Sequence, residues 1–159
     1  MKNILLIFLL VGLLSACIPN KEVINHSFLY KGEGKEWKAE LEYEAKEVWE
    51  KDKEGVNIYS GKDNYIFTLT YKGEVKELAS LNKLSYTFKR GTTGEGSSTQ
   101  NFDEPVTQKI FTSKGGGTGA IMREDESVHV ELEWDGKKEA FELAEKDLKT
   151  NHSKVGTDK

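Results

Sequence analysis

Between Trp37 and Ala45 the apolar residues Trp37, Ala39, Leu41, Tyr43 and Ala45 alternate with Lys38, Glu40, Glu42 and Glu44. Successive side chains of a strand point to opposite faces, so a strict period of two predicts a β-strand with one face on a core and the other in water. The same alternation recurs at Tyr65, Phe67, Leu69 and Tyr71, at Leu84, Tyr86 and Phe88, and at Val128, Val130, Leu132 and Trp134. Weaker strand candidates are residues 26–30, 56–60, 75–79 and 106–113. No amphipathic helical pattern of any length competes, which makes the chain all-β.

The strongest turn is Asp135-Gly136, because a two-residue type I′ hairpin needs positive φ at both central positions and this dipeptide tolerates it. Pairing across it follows by counting: Trp134 faces Lys137, Leu132 faces Glu139, Val130 faces Phe141 and Val128 faces Leu143. On the other face Glu133 meets Lys138 and His129 meets Glu142, as cross-strand pairs favour. Gly61-Lys62-Asp63-Asn64 and Lys72-Gly73-Glu74 read as further turns, and the Gly-rich stretches 91–100 and 114–119 as exposed loops. Strands at a spacing of about 8–12 residues predict an antiparallel β-sandwich of about seven or eight strands, immunoglobulin-like in one version, over residues 26–144. Residues 145–159 form a polar tail.

The first seventeen residues carry an address. Lys2 precedes the apolar run 4–14, which ends in Leu14-Ser15-Ala16-Cys17. A charged start, an apolar stretch shorter than the about 20 residues of a membrane span and small residues at the cut make a signal peptide, residues 1–16. The Leu-Ser-Ala-Cys ending resembles the bacterial lipobox. That resemblance implies diacylglycerol attached to Cys17 by a thioether, cleavage between Ala16 and Cys17, and a home on the extracytoplasmic face of the cell membrane. An ordinary signal peptide ending near Ala16 would instead leave a stray thiol. Cys17 is the only cysteine, so it has no disulfide partner within the chain, and acylation accounts for it. Residues 17–25 read as a short tether; extended at about 3.3 Å per residue, residues 18–25 would reach about 26 Å, keeping the body close to the bilayer.

Loss of the signal removes only Lys2 among charged residues, leaving a body more negative than the formal −4 of the whole chain. Lys and Glu are interspersed. This argues against nucleic acid as a partner, since phosphate neutralisation needs concentrated basic surface. It also assigns membrane attachment to the lipid on Cys17 rather than to a polybasic patch.

Motifs that would carry chemistry fail on inspection. Gly91-Thr92-Thr93-Gly94-Glu95-Gly96-Ser97-Ser98 has Ser97 where a phosphate loop needs lysine, and Thr99 replaces the third glycine of a dinucleotide pattern. Gly115-Gly116-Gly117-Thr118-Gly119 lacks an acidic ribose partner in a βαβ setting. His26, His129 and His152 have no metal-ligand spacing, and Glu124-Asp125-Glu126 lacks the rest of a calcium loop. Glu40, Glu42 and Glu44 share a face with Lys38 and Lys46 and read as an outer strand face. No Gly-x-Ser-x-Gly elbow is present. Trp37 and Trp134 belong to the core pattern. Trp49, between Lys46-Glu47-Val48 and Glu50-Lys51-Asp52-Lys53, is expected to be partly buried near a strand end, either as a binding aromatic or packed under a loop.

Gly32-Glu33-Gly34-Lys35-Glu36-Trp37-Lys38, running into an alternating strand, resembles the Gly-Glu-x-x-x-Trp-Lys segment of small uncharacterised lipoproteins of Bacillus-like Gram-positive bacteria. The resemblance spans residues 32–45 and the lipobox, with Gly34 at a position often serine. It implies a compact β domain outside the cell membrane and brings no catalytic residues. Residue by residue, Gly32 and Gly34 are expected at a turn and Trp37 as the first inward anchor.

The expectation from sequence is therefore a lipid-anchored, non-catalytic module, with no cofactor and no metal, that binds an envelope protein or glycan. The alternative is an inhibitor or immunity-type protein whose residues 91–100 enter the cleft of a secreted or cell-wall hydrolase. An enzyme would require His129, a carboxylate and a hydroxyl to converge in space.

Overall fold

The computed structural model describes residues 21–146. Within them the chain runs β1 (Glu22–Glu33), β2 (Trp37–Lys51), β3 (Asn57–Tyr71), a 3-10 turn at Val75–Leu78, β4 (Lys83–Arg90), β5 (Gly94–Asn101), β6 (Ile110–Thr118), β7 (Val128–Trp134) and β8 (Lys137–Glu145). The eight strands form one antiparallel sheet in the order β5-β4-β7-β8-β1-β2-β3-β6, rolled into a nearly closed barrel. The two separate sheets of the expected sandwich are thus one continuous sheet. Its two halves are joined where β1 meets β8 in a short ladder, Tyr30 opposite Glu145 and Lys31 opposite Ala144. The tether expected at residues 17–25 also ends earlier, because Glu22–Asn25 already pair with β2.

Each long strand extends its sequence pattern. In β2 the buried positions are Trp37, Ala39, Leu41, Tyr43, Ala45 and Glu47, with exposed or half-exposed residues between them. Aromatic rings close the barrel from within: Phe67 of β3 stacks on Phe88 of β4 at 4.2 Å, and Trp37 of β2 meets Trp134 of β7 edge-on at 5.7 Å. Such pairs add about 0.5–1.5 kcal/mol each to the stabilisation from burying their surface. Trp37 is fully buried and Gly34 N donates to Trp37 O across the β1–β2 turn, as the segment 32–38 predicts, whereas Gly32, expected at the turn, is still in β1 opposite Ala39.

The β7–β8 hairpin has the predicted register throughout, from Trp134–Lys137 to Val128–Leu143. Asp135 and Gly136 have φ of 45° and 81°. The Asp135 carboxylate also accepts from the backbone N–H groups of Asn82 and Lys83, fixing the start of β4 to this turn.

The expectations for five stretches are corrected. Residues 91–100 and 114–119 are largely strand: β5 pairs with β4 and β6 with β3. Their glycines stand opposite rings, Gly96 across from Phe88 and Gly115 across from Tyr65, and a Cβ would lie 2.2 Å and 2.4 Å from those side chains. The facing aromatic supplies the apolar contact that the glycine lacks, so no alternation of large side chains is needed. Gly61-Lys62-Asp63-Asn64 is the middle of β3 rather than a turn, Asp63 sitting between Ala45 and Gly117. The candidate strand at 75–79 is the 3-10 turn, and that at 106–113 begins only at Ile110.

Candidate functional site

The strands β2 and β3 are 15 residues each, whereas β4 and β7, which face them, are 8 and 7. The β2–β3 pair therefore overhangs the barrel at the end where β1 begins. Along the overhang the inward positions change from apolar to polar: Tyr43, Ala45, Glu47 and Trp49 on β2, Tyr65, Asp63, Gly61 and Tyr59 on β3, and His26 on β1. The loop leading to β7, in which Ile121 and Met122 are buried, runs over the inner part of this series and leaves Trp49 at its outer end exposed.

Two polar clusters lie under that loop. In the first, Arg90 Nη1 donates to Asp63 Oδ2 at 3.1 Å and Tyr43 OH donates to the same oxygen at 2.9 Å. Asp63 and Arg90 are each only 6% exposed. The guanidinium also lies over the ring of Tyr65 at 4.9 Å, a cation–π contact that offsets part of its desolvation. Burial pushes the Tyr43 hydroxyl far above its ordinary range, and Asp63 adds to this against the Met122 N–H, which lowers it. Tyr43 therefore stays a neutral donor to Asp63 while accepting from Met122 N at 3.0 Å.

In the second cluster Glu47, 3% exposed, takes Arg123 Nη2 at 2.8 Å and His26 Nε2 at 3.2 Å, with Tyr59 OH at 3.4 Å. Burial alone would raise the Glu47 carboxyl. The hydrogen bonds from Arg123 and His26 outweigh it and hold the group below its ordinary value. Tyrosine hydroxyls also tie the covering loop down, Tyr30 OH donating to Arg123 O and Tyr59 OH to Gly119 O.

Beyond these clusters the overhang ends in an exposed tip. The Asp52 side chain accepts from the N–H groups of Glu54 and Val56, ordering the turn. Trp49 packs on Tyr59 at 4.7 Å yet is 41% exposed, and Val56 and Ile58 are 59% and 42% exposed. Trp49 thus sits near the end of β2 as expected, with a tyrosine beneath it and no loop above.

The other candidates fall elsewhere. His129 lies on the outer face of β7 between Glu142 and Glu131; the Glu142 hydrogen bond, opposed by slight burial and aided by Glu131, raises its pKa. Glu40 pairs with Lys31 and Glu44 with Asn64 on the outer face of β2. Glu124-Asp125-Glu126 belongs to the covering loop, and no group of three metal-ligating residues forms among the described residues. His152, Ala16 and Cys17 lie outside the described residues. Asp63 reads locally as a turn residue, which hides the first cluster; for the second, the signal in the sequence is a charged residue continuing the inward series of β2, Glu47 after Ala45.

Compared with known proteins, the chain matches no family model, no curated protein and no solved structure.

Proposed function

We propose that this chain is an extracytoplasmic lipoprotein, anchored to the cell membrane through Cys17, whose body binds an envelope protein or glycan and performs no catalysis. The signal-like start and the lipobox resemblance of Leu14-Ser15-Ala16-Cys17 support the anchor. The observation that carries the binding reading is the open seam of the barrel. The strand order ends at β5 on one side and β6 on the other, and no ladder joins them among the described residues. Both edges are rich in glycine and serine, so side chains leave the backbone N–H and C=O groups accessible to an added strand or a polar ligand.

Photo-crosslinking in cells expressing the full chain tests the reading, with the reactive group at Ser97 on β5, at Lys114 on β6 or at Glu42 on the outer face. Discrete adducts from the two edges and none from Glu42 are expected; none from any edge position would remove the binding reading. Palmitate labelling, present in the native chain and lost in Cys17→Ser, tests the anchor separately. The hydrolase-inhibitor alternative rested on residues 91–100 as a long loop, and most of them now belong to β5.

A further inference from the structure

We infer that the tip of the β2–β3 overhang docks on the lipid surface at headgroup depth, fixing the orientation of the domain on the membrane; the inference rests on the anchor at Cys17. Three observations converge on the tip. The first is where the chain enters. Glu22 pairs with Trp49, and Lys21 forms an ion pair with Glu50 at 3.3 Å, so β1 starts on the flank of the tip. Cys17 precedes Glu22 by five residues, a span of at most about 18 Å. An acyl group on Cys17 therefore holds this end of the barrel, and no other, against the bilayer.

The second is the distribution of exposed apolar side chains. Of the five large ones among the described residues, Trp49, Val56 and Ile58 cluster here, while Val75 and Ile110 lie toward the opposite end. Trp49 pairs with Tyr59 on one face of the overhang; Ile58, one residue on, projects from the other. Apolar groups on both faces of a projecting hairpin suit an element surrounded by lipid better than one laid flat on a protein.

The third is the chemistry of the tip. Tryptophan and tyrosine favour the headgroup region, where the ring is apolar and one edge is wet. Lys51 and Lys53 flank the turn and can reach lipid phosphates along their aliphatic stems. Glu50 is occupied by Lys21, and Asp52 by its own turn. The polar turn residues limit the depth to the interface. Charges of both signs are present, so the contact is led by apolar burial and should persist on zwitterionic lipid.

The test uses the full-length, acylated protein in phosphatidylcholine vesicles carrying a nitroxide either near the headgroup or near the acyl chain end. Trp37 and Trp134 are buried in the barrel, so Trp49→Phe isolates the Trp49 emission. Quenching of Trp49 by the shallow label, little by the deep one, and a fall of quenching by about half or more in Val56→Ser/Ile58→Ser are the expected results, since surface binding scales with buried apolar area. Acylated protein whose Trp49 is not quenched, or is quenched equally in the double variant, would overturn the docking and leave the anchor standing. Mass spectrometry showing Cys17 unmodified would overturn both. A blue shift of Trp49 on concentrating the protein without lipid, and none with vesicles, would assign the tip to a second copy of this chain.

Discussion

Arg90→Met is the perturbation that most directly examines the interior. It keeps an unbranched side chain of similar reach but removes the bond to Asp63 at 3.1 Å and the contact with the Tyr65 ring. Asp63 is then a buried carboxylate with only Tyr43 to satisfy it, since Asp63 Oδ1 has no hydrogen-bond partner among the described residues. Removing one member of a buried ion pair costs about 3–5 kcal/mol, because the other charge is left uncompensated. Whole domains are stable by only about 5–15 kcal/mol, so this is a large share. At a urea slope of about 2 kcal/mol/M the midpoint should drop by about 2 M, followed by the emission of the buried tryptophans. Replacing both partners, Arg90→Met with Asp63→Leu, removes the stranded charge and should be less destabilising than Arg90→Met alone. A loss below about 1 kcal/mol for Arg90→Met, or a double variant at the sum of the single ones, would refute the view that the two side chains act as one unit.

Gly96→Ala drives a Cβ to 2.2 Å from Phe88, whose ring is held by Phe67, and should cost about 1–3 kcal/mol of overpacking; Gly117→Ala meets only Asp63 Oδ1 at 3.7 Å and should change the thermal midpoint much less. Equal shifts would contradict the placement of β5. Glu47 has a folded pKa below its ordinary 4.5, so its contribution to stability is full above that value and is lost as pH falls through the folded one. Arg123→Met removes the strongest of the bonds that lower it, and acid unfolding followed by circular dichroism should begin at higher pH. The raised pKa of His129 has the opposite sign: its stabilisation is present below the ordinary 6.5 and lost as pH rises through the folded value. Its imidazole resonances should titrate above 6.5 in the native chain and lower in Glu142→Gln.

What could be read from the sequence was the part governed by alternation of large side chains. Trp37 to Ala45 and Val128 to Trp134 alternate without exception, and the Asp135-Gly136 turn then determines pairing by counting; the structure has that register. The edge strands follow the same period of two, but their inward positions include Gly96 and Gly115, whose partners, Phe88 and Tyr65, lie on neighbouring strands. Composition alone cannot separate such a strand from a loop. Asp63 misled for a related reason. In a local window it belongs with Gly61 and Asn64 as a turn former, and only Arg90, supplied by a strand on the other half of the sheet, makes a buried aspartate tolerable there.

The same dependence on distant partners explains why the polar end of the barrel holds together. A loop that covers strands without pairing to them leaves its backbone groups needing partners. Here tyrosines reach out of the sheet to meet it: Tyr43 accepts from Met122 N, Tyr30 donates to Arg123 O and Tyr59 donates to Gly119 O. Their rings belong to the inward series of β1, β2 and β3, while their hydroxyls satisfy the loop. Arg123 then adds a charge-assisted bond to Glu47 from the loop itself. The overhang is thereby stiffened from its root to Tyr59, one pair of residues short of the exposed Ile58. A hairpin braced in this way can present Trp49 and Ile58 at a defined height, which a free loop of the same composition could not.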